Sequence, residues 1–265
     1  MAGKKLVALD VDGTLMHADE TISTAVVDAV ARARADGHEL MLATGRSWET
    51  AWPVMQRAGL DSEYAVCANG ALTMRRDASE PSGYRREHVE TFDASEVLAT
   101  VRPELPHGRF MVEDATGFRR YTERIDDWEL SRSEQVPFER LAEVPATRVV
   151  VVSPRHDEEE FFEIVERMGL HKVSYSIGWT AWLDISPHGV NKATAMERVR
   201  GLLDVDRADV VAVGDGRNDI DLLRWASALG RGVAMGHAPD DVKDAAGEVT
   251  GTIDEDGVAR LLETL

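Results

Sequence analysis

Two aspartates flank a single valine in LVALDVDGTL, where the apolar run Leu6 to Leu9 leads into Asp10, Asp12, Gly13 and Thr14. The run fits a buried strand. Residues two apart on an extended chain point to one side, so Asp10 and Asp12 can face a single spot while Val11 turns away. Like charges at a strand exit repel, and burial raises the cost. A divalent cation among them removes the conflict, and hard carboxylate oxygens suit Mg²⁺. The layout returns in VVAVGDGRNDIDLL at 210–223, with an apolar strand, Asp215 at its end, a glycine and a helix start. Ligands of open α/β sheets bind beyond the carboxyl ends of the strands, which sets Asp215 beside Asp10. Asp219, four residues on, can then steady the metal's water or its ligands. A turn that uses Asp and Gly for their backbone preferences explains the first stretch alone. A loop that merely caps its helix explains Asn218 but not the whole set.

A phosphate at such a spot also needs donors, and ATGRS at 43–47 offers the Thr44 hydroxyl, the Gly45 N–H and a helix beginning just behind. Arg46 either adds charge toward a substrate or lies on the surface. Asn218 and the N–H groups of Gly216 and Arg217 can meet an anion at a helix start. Lys192, in SPHGVNKAT, is the only lysine between Lys172 and Lys243. Its compact charge could hold both a phosphate and Asp10.

The elements that must position these residues read as a split α/β core. KLVALD (5–10), ELMLAT (39–44) and AVCAN (65–69) read as strands, with helices over Ser23–Asp36 and about Ser47–Ala58 between them. Alternating β and α with continuous apolar strands predicts a parallel sheet with helices on both faces. After Asn69-Gly70 the rhythm changes to hairpins (71–76 with 84–90, RFMVED with FRRYT) and further strands at 148–153, 173–178 and 181–186. Helices open at Asp93, with Glu96 as a capping box, and at Asp157. The first rhythm resumes with a helix at Asn191–Leu203, strands at 209–215 and 232–236, and closing helices. The fold class expected is α/β, a Rossmann-like parallel-sheet core of residues 1–81 and 188–265 with an inserted α+β cap domain at 82–187.

The 265 residues carry 48 acidic and 30 basic side chains, a formal net charge of −18. Such a field repels nucleic acid and anionic membrane, so neither is expected as a partner. Asp10 interrupts the N-terminal apolar run before a signal peptide's core could form, and no run is long enough to span a bilayer, so a cytoplasmic location is expected. The single cysteine, Cys67, reads as a buried strand residue.

DVDGT, ATGR, Lys192 and GDGRND, in that order, resemble the four motifs of the haloacid dehalogenase superfamily of phosphohydrolases. The insertion between the second and third motifs, with NGA at 69–71, DISPHGVNKATA at 184–195 and GVAMGHA at 232–238, resembles the Cof-like subfamily with a type IIB cap. His237 stands where that family often has asparagine, and Leu222 where methionine is common. The resemblance implies Asp10 as nucleophile, forming an aspartyl-phosphate, and Asp12 as general acid and base. It implies Mg²⁺ held by the Asp10 side chain, the Asp12 main-chain carbonyl and Asp215, supported by Asp219. Thr44, Gly45, Asn218 and Lys192 would stabilise the phosphoryl oxygens, with Arg46 toward the substrate.

The activity implied is Mg²⁺-dependent hydrolysis of a phosphomonoester of a small metabolite, with a sugar phosphate as the default, by a monomer or a homodimer. The cap would be a lid that reads the rest of the substrate. Trp179 and Trp182 read as cap packing before sugar platforms, and His107, Arg109, Arg119 and Arg120 as solvated cap surface before anion contacts. The alternatives are a phosphosugar mutase, favoured by an arginine cluster in the cap, and a specific glycosyl-phosphoglycerate or sucrose-phosphate phosphatase. More remote is a phospho-accepting signalling domain, since such domains are about half this length and lack a cap.

Overall fold

A computed structural model describes residues 3–124, 131–177 and 181–265. Along the chain the elements run β1 (Leu6–Leu9), α1 (Thr24–Ala35), β2 (Glu39–Leu42), α2 (Trp48–Arg57), β3 (Tyr64–Cys67), β4 (Leu72–Arg76) and β5 (Tyr84–Val89). Next come α3 (Ser95–Glu104), β6 (Arg109–Asp114), β7 (Arg119–Tyr121), β8 (Ser133–Gln135), β9 (Ala146–Val152), α4 (Glu158–Met168), β10 (Val173–Ile177) and β11 (Trp182–Pro187). The chain closes with α5 (Lys192–Leu202), β12 (Val210–Gly214), α6 (Ile220–Ser227), β13 (Arg231–Ala234), α7 (Asp240–Ala245), β14 (Glu248–Val249) and α8 (Gly257–Leu262). It divides into two compact units, one running to Glu87 and resuming at Asn191–Leu265, the other His88–Val190.

The first unit is built on a parallel sheet in the order β14-β13-β12-β1-β2. Its strand β1, Leu-Val-Ala-Leu, lies between β12 and β2 and is buried throughout. Burial of one such Leu or Val is worth about 1.5–3 kcal/mol, so the continuous apolar runs pay for a sheet covered on both faces. Ser23 caps α1 by accepting the Val26 N–H at 3.2 Å. That helix buries Val26, Ala29, Val30 and Ala33, the spacing of a single stripe.

The third expected strand departs from the parallel pattern. β3 pairs antiparallel with β4 in a separate sheet ordered β3-β4-β5. It touches the β2 edge through one parallel bridge, Ala43 to Val66. The cause is the tight turn Ala68–Gly70, where Asn69 takes φ 50° and Gly70 φ 100°, so that the chain folds straight back. Residues 68 and 69 therefore belong to the turn and not to the strand.

The inserted unit carries a sheet ordered β10-β11-β9-β6-β7-β8, antiparallel except for the β7–β8 pair. Its apolar cluster joins Val97, Leu98 and Val101 of α3 and Phe161 and Val165 of α4 to Phe110, Val149, Val151, Leu183 and Ile185 of the sheet. The capping box expected at Asp93 and Glu96 does not form. Asp93 accepts the Ser95 N–H at 2.9 Å, and the Glu96 carboxylate pairs with Lys172 instead.

Candidate active site

The parallel register brings the chemistry-bearing residues to one end of the sheet. Leu9 of β1 is level with Val213 of β12 and Leu42 of β2. Each strand therefore releases its loop at the same edge, giving Asp10, Asp215 and Thr44. Asp10 N–H still donates to the Val213 carbonyl at 3.1 Å, which fixes the strand exit. The Val11 carbonyl then accepts the N–H groups of Thr14, Leu15 and Met16, curling the chain back under the aspartates.

Asp10, Asp215 and Asp219 are all buried, and each offers a carboxylate oxygen within 4.8 Å of the other two. Lys192 is fully buried among them, its Nζ donating to Asp10 Oδ1 and to Asp219 Oδ1 at 2.6 Å each. It stands at the first position of α5, a helix fixed by the Asn191–Thr194 capping box. Gly70 packs against that cap so closely that a Cβ would lie 2.2 Å from the Asn191 carbonyl oxygen. Burial raises the pKa of Asp10, with Asp219 pushing the same way and Lys192 opposing both. Burial alone would lower the pKa of Lys192, but Asp10 and Asp219 outweigh it and hold the ammonium charged.

The oxygens of the cluster are not equivalent. Asp219 uses both, on Lys192 and on the Gly216 N–H at 3.1 Å. Gly216 is thereby committed to a carboxylate within its own loop. Asp215 receives the Thr14 hydroxyl at 2.7 Å, with His237 Nε2 3.6 Å from its other oxygen. Asp215 in turn raises the pKa of His237. Asp10 Oδ2 accepts no hydrogen bond among the described residues.

Asp12 is exposed, and both its oxygens are taken by the Arg46 guanidinium, Nε at 2.8 Å and Nη2 at 2.6 Å. The structure thus turns Arg46 toward Asp12, held by a bidentate pair. Thr44 is buried, and its hydroxyl oxygen accepts the Arg46 N–H at 3.1 Å. Gly45 faces Asn69, and a Cβ there would stand 3.1 Å from Asn69 Oδ1. Asn218 Nδ2 donates to that same oxygen at 3.1 Å. Asn69 consequently ties the loop after β2 to the loop after β12. The sequence offers one signal for it, the NGA stretch at 69–71 that carries part of the family resemblance, but it assigns Asn69 to the end of a strand and gives it no role.

The candidates in the inserted unit have surroundings of their own. Arg119 is buried against Glu113 at 3.1 Å, Arg120 pairs with Asp114 at 3.4 Å, and Arg109 lies 3.6 Å from Glu123. The expectation of solvated surface fails for Arg119, because its strand β7 sets it level with Glu113 of β6. His107 is exposed. Trp182 packs with Tyr121 and Val152 on Met111 and Val150, as packing predicts. Trp179 lies outside the described residues.

The buried cluster fits a hard divalent cation. Three carboxylates against one ammonium leave two negative charges in a desolvated space. No helix among the described residues is long and apolar enough to cross a membrane.

The family of haloacid dehalogenase-like hydrolases matches residues 7–262. A 5-amino-6-(5-phospho-D-ribitylamino)uracil phosphatase of Bacillus subtilis (strain 168) is 28% identical, over 97% of this chain and 96% of its own. A pyridoxal phosphate phosphatase of Escherichia coli (strain K12) is also 28% identical, over 97% of each chain. The solved structure of a HAD subclass IIB sugar phosphatase superposes with a TM-score of 0.81 at 22% identity, over 98% of both chains. With its parallel-sheet core, its separate antiparallel sheet and its match over residues 7–262, the chain has the fold of the subclass IIB structure and belongs to the haloacid dehalogenase-like hydrolases, as a Cof-like phosphatase.

Proposed function

We propose that this phosphatase hydrolyses the monoester of a small phosphorylated metabolite, a sugar or polyol phosphate, with Mg²⁺ and through an aspartyl-phosphate on Asp10. The observation that carries the reading is the asymmetry of Asp10, whose Oδ1 is held by Lys192 while Oδ2 is left as a nucleophile. Oδ2 attacks phosphorus in line, the ester P–O bond breaks, and Asp12, in its acid form with one oxygen freed from Arg46, gives its proton to the departing alkoxide. Asp12 then takes a proton from the water that attacks the acyl phosphate, and inorganic phosphate leaves with Asp10 restored.

Asp10, Asp215 and the Asp12 main-chain carbonyl would hold the cation, with Asp219 supporting from behind because both its oxygens are already engaged. Bound there, Mg²⁺ supplies charge neutralisation between the carboxylate and the phosphoryl group. Thr44, Gly45, Asn218 and Lys192 meet the phosphoryl oxygens, the stabilisation expected to dominate in phosphoryl transfer. Arg46 fixes the direction of the Asp12 carboxylate. The inserted unit would act as the lid that selects the rest of the substrate. The two relatives are phosphatases of 5-amino-6-(5-phospho-D-ribitylamino)uracil and of pyridoxal phosphate, which supports a small ester. A mutase finds less support, since Arg109, Arg119 and Arg120 each have a carboxylate partner within their own unit.

The test is phosphate release from a panel of phosphorylated metabolites, with Mg²⁺ and with chelator, by wild type and Asp10→Asn. Release that requires both Mg²⁺ and Asp10 is expected. A variant that turns over at near the wild-type rate would remove Asp10 from the chemistry.

A further inference from the structure

His237 reaches the carboxylate cluster, yet the chemistry above gives it no task. It follows β13, in the loop that leads to α7. Its two ring nitrogens face different partners. Nδ1 accepts the Ile253 N–H at 3.3 Å, and Nε2 lies 3.6 Å from Asp215 Oδ2. A ring nitrogen that accepts an N–H carries no proton of its own, so the ring's proton sits on Nε2, the nitrogen aimed at Asp215.

The surroundings of Asp215 give that proton a purpose. The Thr14 hydroxyl restrains Oδ1 at 2.7 Å. Gly13 passes so near that a Cβ would stand 2.2 Å from Oδ2. Without His237, Oδ2 has steric limits but no described donor, and the carboxylate can turn about its bond to Cβ.

We propose that His237 is a positioning residue, which through Nε2–H holds the Asp215 carboxylate in the orientation that receives Mg²⁺. The inference rests on the metal reading given under Proposed function. Partners that orient a metal ligand typically contribute about 10- to 100-fold in affinity when removed.

The shape of the ring supplies a discriminating test. A glutamine amide nitrogen reaches the place of Nε2 and can still donate to Asp215. The shorter asparagine amide reaches the place of Nδ1 and serves only Ile253. Mg²⁺ is titrated calorimetrically into the full-length wild type, His237→Gln, His237→Asn and His237→Ala, with the melting temperature of each taken in chelator. Glutamine is expected to keep the wild-type affinity within about threefold, while asparagine and alanine lose about 10- to 100-fold. In chelator the asparagine variant, which keeps the Ile253 partner, should melt no lower than the glutamine variant, so its weaker Mg²⁺ binding reports orientation of the ligand and not loss of loop support. Wild-type Mg²⁺ affinity in His237→Asn, or an affinity in His237→Gln as weak as in His237→Ala, overturns the proposal. A wild type that binds no Mg²⁺ overturns the metal reading itself, and the proposal with it.

Discussion

The turn after β1 leaves no room for a side chain at residue 13. Gly13 takes φ 77°, and a Cβ there would stand 2.2 Å from Asp215 Oδ2. Gly13→Ala must therefore displace a carboxylate of the cluster, and we expect kcat to fall by about 100-fold or more, as when geometry slips by about an ångström. Gly83 is the control. Its φ of 74° is similar, but nothing lies within 4 Å of the added carbon. Gly83→Ala should cost only backbone strain, about 1–2 kcal/mol by urea unfolding, with kcat unchanged. Arg46 yields a second prediction. If its guanidinium orients Asp12, Arg46→Ala lowers kcat by about 10- to 100-fold and moves KM by less than about threefold, because general acid catalysis is lost while binding is kept. A large rise in KM with kcat preserved would instead place Arg46 on the substrate phosphate. Steady-state kinetics on the preferred ester decide between the two.

The elements explain what could be read in advance. Strand exits at Asp10 and Asp215 were legible because apolar runs, aspartates and glycines are local signals. The neighbourhood of β1, β2 and β12 follows from the α/β rhythm. Asn69 was not legible as a link, since its partners Gly45 and Asn218 come from loops far away in sequence. The same holds for Glu96, whose carboxylate is drawn from its expected cap by Lys172, and for Arg119, buried only because β7 sets it level with Glu113. Strands as short as β8 and β14 carry too few residues for any period. The β6–β7 turn was legible, and it makes a prediction of its own. Burial raises the pKa of Asp114, but donors from Thr116 and Phe118 outweigh it and hold the carboxyl below its ordinary value. A depressed folded-state pKa stabilises above the unfolded pKa, and that contribution fades as pH falls through the folded value. Asp114→Ala should cost about 1–2 kcal/mol at pH 7. The gap from wild type should narrow below about pH 4, measured by urea midpoints at both pH values. A gap that widens in acid would show that the turn is held by something else.

At the scale of the whole molecule, the chain leaves its core unit near Glu87 and returns at Asn191, whose side chain caps α5 one residue before Lys192. The return point of the insertion thus delivers the ammonium that Asp10 and Asp219 share. That charge is spent locally, since Lys192 donates to both Asp10 and Asp219. An arriving phosphate therefore meets little net positive potential from the side chains of the cluster and a molecule of formal net charge −18. Opposed long-range charge slows encounter, and salt relieves it, because the Debye length shrinks to about 10 Å at 0.1 M. With free Mg²⁺ held constant, raising added salt from about 20 to about 150 mM should raise kcat/KM for a dianionic monoester, while kcat stays level. An uncharged control property, the melting temperature without substrate, separates this from an effect of salt on the fold. If kcat/KM falls with salt, attraction governs the approach, and cations other than Lys192 must line the path that the substrate takes.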